Sequence, residues 1–154
     1  MGLFEAVCSK SGTRGGDRGG DRGFMAGGGD AGVHVGGSGG SSVTGVREAD
    51  NYALLLIRLE RYGEVSKLLR KLTPMARRVL GEGHEITLGM RTNYAQSLYE
   101  GPGATLEDLR EAVTTLEETS RTARRILGSE HPTTKTIEWH FKKAQAALRA
   151  REEA

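Results

Sequence analysis

The sequence has a single cysteine, Cys8, among its 154 residues. One thiol cannot form a disulfide within the chain, which excludes the small secreted scaffolds that several disulfides hold together. A lone cysteine in a chain of this length is typical of a reducing compartment. We therefore expect a cytoplasmic protein.

Long apolar runs and an excess of charge are also missing. No segment approaches the ~18 consecutive apolar residues of a membrane span, and the first residues lack the basic start of a secretory signal. The formal net charge is only +2, so the protein has no strong basic field to attract nucleic acid or anionic lipid. We expect no membrane partner, and nucleic acid is disfavoured as a partner.

Motifs for catalysis, phosphate binding and metal binding are absent from the sequence. There is neither a Gly-x-x-x-x-Gly-Lys-Ser/Thr loop nor a His-Glu-x-x-His motif. His84 and His131 each lack a second histidine or cysteine at metal-ligand spacing, and each is expected to bond the neighbouring helix end. Cys8 has no adjacent base to activate it. The sequence therefore predicts a protein that is not an enzyme and that uses no metal or cofactor.

Glycine is abundant and unevenly distributed. Sixteen of the 23 glycines lie between Gly2 and Gly45, and glycine costs more conformational entropy to order than any other residue. Because residues 1–44 hold few apolar side chains to offset that cost, we predict a disordered leader. Its Arg-Gly-Gly runs resemble segments that bind RNA. An aspartate offsets each arginine of those runs, however, and a neutral linker is the preferred interpretation.

The rest of the chain contains an internal repeat. Asn51-Tyr52-Ala53 recurs as Asn93-Tyr94-Ala95, a shift of 42 residues. Farther along, Arg78-Val79-Leu80-Gly81 recurs as Arg125-Ile126-Leu127-Gly128, a shift of 47 residues. The additional residues of the second copy fall at Gly101-Pro102-Gly103, which is typical of a loop. Self-similarity at a fixed period is typical of repeat architectures.

Each repeat reads as a pair of helices. Apolar residues recur at helical spacing, and a last helix is predicted from Thr133 to about Arg151. Thr105 with Asp108 predicts a capping box at one helix start, and Gly128 predicts a left-handed helix end. We expect residues 45–151 to form an all-α domain, a solenoid of about two and a half antiparallel helix pairs, with residues 152–154 frayed.

These features resemble the tetratricopeptide repeats of kinesin light chains. The resemblance lies in Leu-Gly-x-x-His with a following threonine after each second helix, in Asn-x-Ala within each first helix, and in the turn Arg61–Val65. It covers about residues 46–150. Two differences are Glu85 in place of a usual proline and Lys142 in place of a small alanine. Lys142 indicates that the last helix caps the array.

The resemblance implies a protein-interaction module, an adaptor or scaffold that binds an extended peptide or a partner protein on a concave surface. Asn51 and Asn93 match the inner-groove asparagines of that family, which hold the main chain of a peptide. An amide suits this role because it offers an acceptor and two donors. Thr92, Gln96 and Trp139 are expected on the same face, and Trp139 is a candidate anchor.

Other interpretations remain open. The leader could associate with RNA, or the chain could be a self-associating fragment of a longer repeat protein. Because stacked helix pairs usually need about three repeats to be stable, we expect marginal stability or self-association through Leu54, Leu55 and Ile57. The two asparagines are about as well explained by solvated amides, and Trp139 by packing against the preceding helix.

Overall fold

The computed structural model describes residues 39–154, with side chains from Val43 onward. Every regular element in this range is an α-helix. The helices are α1 (Gly39–Arg58), α2 (Tyr62–Leu80), α3 (Glu85–Glu100), α4 (Leu106–Leu127) and α5 (Pro132–Glu153). The all-α prediction is confirmed for this part of the chain. None of these helices has the length and apolar content needed to cross a bilayer.

The boundaries of the folded part differ from the predicted ones at both ends. Most of the predicted leader, together with Cys8, lies outside the described residues. Its last part, residues 39–44, belongs to α1, so the helix begins before the predicted domain start at residue 45. At the other end, α5 continues to Glu153, past the predicted end at Arg151.

The helices α2 and α4 each bury one side. Their buried apolar residues recur mainly at intervals of three or four, which places them on one face of a helix. They are Val65, Leu69, Leu72 and Ala76 in α2, and Leu109, Ala112, Leu116 and Ala123 in α4. Both helices pack against α3, and the core of the described domain lies between them.

The central helix, α3, contacts each of the other four helices. It is therefore buried on nearly all sides, and its buried residues include the polar Arg91, Thr92, Asn93 and Ser97. The guanidinium of Arg91 donates to Glu118 of α4 at 3.0 Å. A buried charge is costly unless it is paired, so this contact makes the burial of Arg91 tolerable.

The predicted helix ends are largely confirmed. Thr105 Oγ1 accepts from the Asp108 N–H at 3.1 Å, and Asp108 Oδ2 accepts from the Thr105 N–H at 2.8 Å, which completes the capping box. The hydrogen bonds that the Asp108 carboxylate accepts from the Thr105 N–H and the Thr105 hydroxyl lower the pKa of Asp108. Gly128 ends α4 with φ +91° and ψ 161°. The positive φ favours glycine as predicted, but the extended ψ is not that of a left-handed helical residue.

Two histidines begin the helices that follow the glycine ends. His84 Nδ1 accepts from the Ile86 N–H at 3.1 Å, and His131 Nδ1 accepts from the Thr133 N–H at 3.2 Å. The prediction that each histidine bonds the neighbouring helix end is confirmed. Each ring satisfies one of the backbone donors that a helix start leaves unpaired.

Packing between the helices follows a regular order. Each helix contacts the next one, and two further contacts join α1 to α3 and α3 to α5. Within residues 39–154, α2 and α4 do not approach each other within 8 Å between Cα atoms. Helices α1, α3 and α5 therefore form one continuous layer, while α2 and α4 lie apart from each other.

Candidate functional site

The layer of α1, α3 and α5 has a line of solvent-accessible residues on α1 and on α3. On α1 the exposed line is Thr44, Arg47, Asn51, Leu54 and Arg58. On α3, Glu85 at the start of the helix is exposed. The other residues that are not buried are Ile86, Gly89, Gln96 and Glu100. The 42-residue shift relates these four residues to Thr44, Arg47, Leu54 and Arg58, whereas Asn51 corresponds to the buried Asn93. Apart from that position, both repeats leave the same side of their first helix open. We call this surface the open face.

The two predicted asparagines differ in their surroundings. Asn51 is exposed on α1, whereas Asn93 is only 9% exposed. The Asn93 Nδ2 donates to Asp50 Oδ1 at 3.1 Å and thereby joins α3 to α1. Burial raises the pKa of Asp50, and the Asn93 hydrogen bond partly opposes that rise. Asn51 therefore presents its amide to solvent, while the Asn93 amide is already engaged within the protein.

Thr92 does not belong to the open face, contrary to expectation. Its side chain is 4% exposed, and its hydroxyl donates to the Leu88 carbonyl one helical turn back, at 2.8 Å. Because α3 is covered by neighbours on several sides, a position next to Asn93 in sequence turns into the core. Thr92 is therefore a packing residue.

Gln96 lies on the open face beside a carboxylate that the sequence analysis missed. The Gln96 Nε2 donates to Glu100 Oε2 at 2.8 Å, and the Tyr62 hydroxyl of α2 donates to the same oxygen at 3.2 Å. Lys143 of α5 lies 3.4 Å from Glu100 Oε1. Burial alone raises the pKa of Glu100, but the donors from Gln96, Lys143 and Tyr62 outweigh it and lower that pKa overall. Glu100 thus joins α2, α3 and α5.

Trp139 lies on α5 at the border of the group formed by Glu100 and its partners, and it is 54% exposed. The Lys143 ammonium sits 4.4 Å from the centre of the indole ring, and the His140 ring meets the indole edge-on at 4.8 Å between centroids. His140 is itself buried, with Nδ1 2.6 Å from the Tyr99 hydroxyl. Burial lowers the pKa of His140, so the ring favours its neutral form.

The predicted site residues therefore fall into separate groups. Asn51 and Gln96 are accessible on the open face, Asn93 is mostly buried between α1 and α3, and Thr92 is in the core. Trp139 connects to Gln96 through Lys143 and Glu100. Sequence reasoning missed Asp50 and Glu100. Glu100 could have been identified from the 42-residue shift, because that shift makes it equivalent to Arg58, which is exposed on α1.

A separate depression of about 560 Å³ lies at the edge of the domain. It is bounded by the turn between α1 and α2 and by the Gly101-Pro102-Gly103 loop. Its walls carry charges of both signs, including Arg61, Glu64 and Lys67. Arg61 and Glu64 form an ion pair. Their charges therefore neutralise each other within the depression.

Histidine, aspartate and glutamate side chains recur throughout residues 39–154. In that range no group of three or more histidine, cysteine, aspartate or glutamate side chains is placed to hold an ion. The His131 Nε2 instead lies 3.3 Å from Glu85, which joins the starts of α3 and α5.

Comparison with known proteins gives no family assignment. No protein-family model, no curated protein and no solved structure matches the sequence.

Proposed function

We propose that this chain is a non-catalytic protein-interaction module of the tetratricopeptide type, similar to the repeats of kinesin light chains. In this proposal the helix pairs α1–α2 and α3–α4 are two repeats, and α5 is a capping helix. An extended segment of a partner protein binds across the open face. The lone cysteine favours the cytoplasm as the place where it acts.

The order of helix contacts supports a repeat array. The first helices of successive units contact each other, whereas α2 and α4 remain apart. When successive helices of such an array lie closer together on one side than on the other, the side with the shorter distances becomes concave. The open face lies on the layer of α1, α3 and α5 and would therefore line the concave side, where solenoid proteins bind their ligands.

Equivalent positions in the two units support the same interpretation. Gly81 and Gly128 have nearly the same backbone angles, with φ +93° and +91°, and each is followed three residues later by a capping histidine. Ala53 and Ala95 are both fully buried, as close packing between helices requires. The units therefore repeat in their local geometry as well as in sequence.

The open face offers hydrogen-bonding groups that suit a peptide main chain. The accessible amide of Asn51 carries both donors and an acceptor, and Gln96 supplies a second amide on the neighbouring helix, although its Nε2 already donates to Glu100. An amide can pair with a peptide backbone regardless of the ligand's side chains. The line of accessible residues shared by α1 and α3 is the observation that carries the proposal.

The proposal can be tested by selecting binding peptides from a displayed random library against the full chain. Their affinities are then measured by fluorescence anisotropy for wild type and for Asn51→Ala/Gln96→Ala. We expect the double variant to weaken binding by about tenfold or more, since two hydrogen bonds at ~1 kcal/mol each are lost. Asn93 is left intact because its removal would leave Asp50 without its donor.

Lys71→Ala on α2 is the matched control. Lys71 is exposed on a helix outside the layer of α1, α3 and α5, so this variant should bind the selected peptides as wild type does. Circular dichroism establishes that all variants remain helical. Equal affinity of wild type and the Asn51/Gln96 variant for every selected peptide would contradict the proposal.

A further inference from the structure

One side of α5 is open to solvent along most of the helix. Its residues, at alternating intervals of four and three, are Lys135, Trp139, Lys142, Ala146 and Arg149, and all five are exposed. This spacing places them on one face. We call this surface the α5 stripe. Trp139 lies within it with about half of its side chain in water, and exposed tryptophans are frequent contact residues in protein interfaces.

The internal repeat allows this side of α5 to be compared with the equivalent side of α3. The 47-residue shift relates the first four residues of the α5 stripe to Leu88, Thr92, Ala95 and Tyr99 of α3, all of which are buried. The α5 stripe therefore lies where further helices of an array would pack. Where α3 has Leu88 and Ala95, α5 has Lys135 and Lys142. An apolar repeat helix therefore does not fit this surface.

The charge of the α5 stripe has one sign. Lys135 is paired with Glu130 at 2.9 Å, but within the described part of the chain neither Lys142 nor Arg149 takes part in an ion pair. None of these five residues is acidic, and the next position at the same spacing is Glu153, an exposed acid at the end of the helix. The surface is an exposed indole flanked by cations, next to the small side chain of Ala146.

These features favour one kind of occupant. A second copy lying antiparallel on the stripe would bring the Lys142 side chains of both copies near each other, and like charges at an interface oppose association. Nucleic-acid binding proteins commonly neutralise about 6–10 phosphates, and two unpaired cations fall well short of that. Carboxylates on a helix can reach both cations while an apolar side chain from the same helix covers the indole.

We infer that the α5 stripe binds an acidic amphipathic helix of a partner protein, which takes the place of the next helix in the array. The partner's glutamates or aspartates pair with Lys142 and Arg149, and its apolar side packs on Trp139 and Ala146. A helix laid along another helix contacts it at intervals of three and four, which is the spacing of the stripe. This interaction uses a different surface from the open face.

Trp139 is the only tryptophan of the chain, so its emission reports directly on this site in the full protein. The probe is a tryptophan-free synthetic helical peptide with leucine and glutamate on one side. We expect it to shift Trp139 emission to shorter wavelength, with an affinity that falls as salt rises. A peptide with glutamine in place of each glutamate should bind at least about tenfold more weakly, since it forms no ion pair.

Protein variants locate the interaction. Lys142→Glu/Arg149→Glu should abolish the response, whereas the charge reversal Arg58→Glu on α1 and the substitution Asn51→Ala should not change it. Unaltered binding by the Lys142/Arg149 variant would overturn the inference. So would a single-stranded oligonucleotide of equal charge that shifts the emission at lower concentration than the peptide, or the absence of any response to the glutamate peptide. Because Asn51 is irrelevant here, failure at this site leaves the open-face proposal standing.

Discussion

Leu116 provides the most direct test of the packing of α4 in the core. Its side chain is 0% exposed and belongs to the buried side of α4. Leu116→Ala loses the burial of most of that side chain and leaves a cavity, which together cost about 2–5 kcal/mol. Since single domains are usually stable by ~5–15 kcal/mol, the substitution should remove a large share of the free energy of unfolding.

Urea unfolding followed by far-ultraviolet circular dichroism measures this loss. The midpoint should fall with little change in the slope, because the surface exposed on unfolding is nearly the same. Ile126→Ala in the same helix is the control. Ile126 is 51% exposed, so its truncation should cost about 1 kcal/mol or less. Equal losses for the two variants would refute the assignment of Leu116 to the core.

Further predictions concern the helix cap, a buried histidine and the exposed leucines. Thr105→Ala removes the capping box of α4 and should cost about 1 kcal/mol in the same urea assay; an unchanged midpoint would contradict the cap. Burial lowers the pKa of His140, so its contribution to stability is complete above its unfolded value of ~6.5 and is lost as pH falls through the folded value. Acidification from about pH 7.5 to about pH 5 should therefore lower the Tm more for wild type than for His140→Gln, and parallel losses would contradict this. Leu54 and Leu55 are exposed on α1 whereas Ile57 is partly buried; if this surface associates, Leu55→Glu should lower the mass found by sedimentation equilibrium, and a wild type that is monomeric at all concentrations would argue against it.

Local features of the fold followed from the sequence. The capping residues Thr105 and Asp108, and the histidines that begin α3 and α5, act through contacts with residues two or three positions away. Such contacts depend little on the rest of the fold, and short sequence patterns predict them. The amphipathic spacing of α2 and α4 was predictable for the same reason, since each helix buries one side only.

The surroundings of α3 were not predictable in the same way. Four helices cover it, so its exposed and buried residues do not follow a simple amphipathic pattern, and Thr92 is buried although it neighbours Asn93. The Asp50–Asn93 hydrogen bond depends on how α1 lies against α3, which no pattern within either helix reports. The start of α1 in a glycine-rich segment also ran against local propensity, because glycine disfavours helix interiors.

The central claim is that the open face binds an extended partner segment. Amide chemical shifts of the isotope-labelled full chain, recorded with and without a selected peptide, test it residue by residue. We predict the largest changes along the accessible line of α1 and α3, at Arg47, Asn51 and Gln96, with smaller changes near Lys143. Changes centred instead on α2 and α4, or on the Gly101-Pro102-Gly103 loop, would contradict the account.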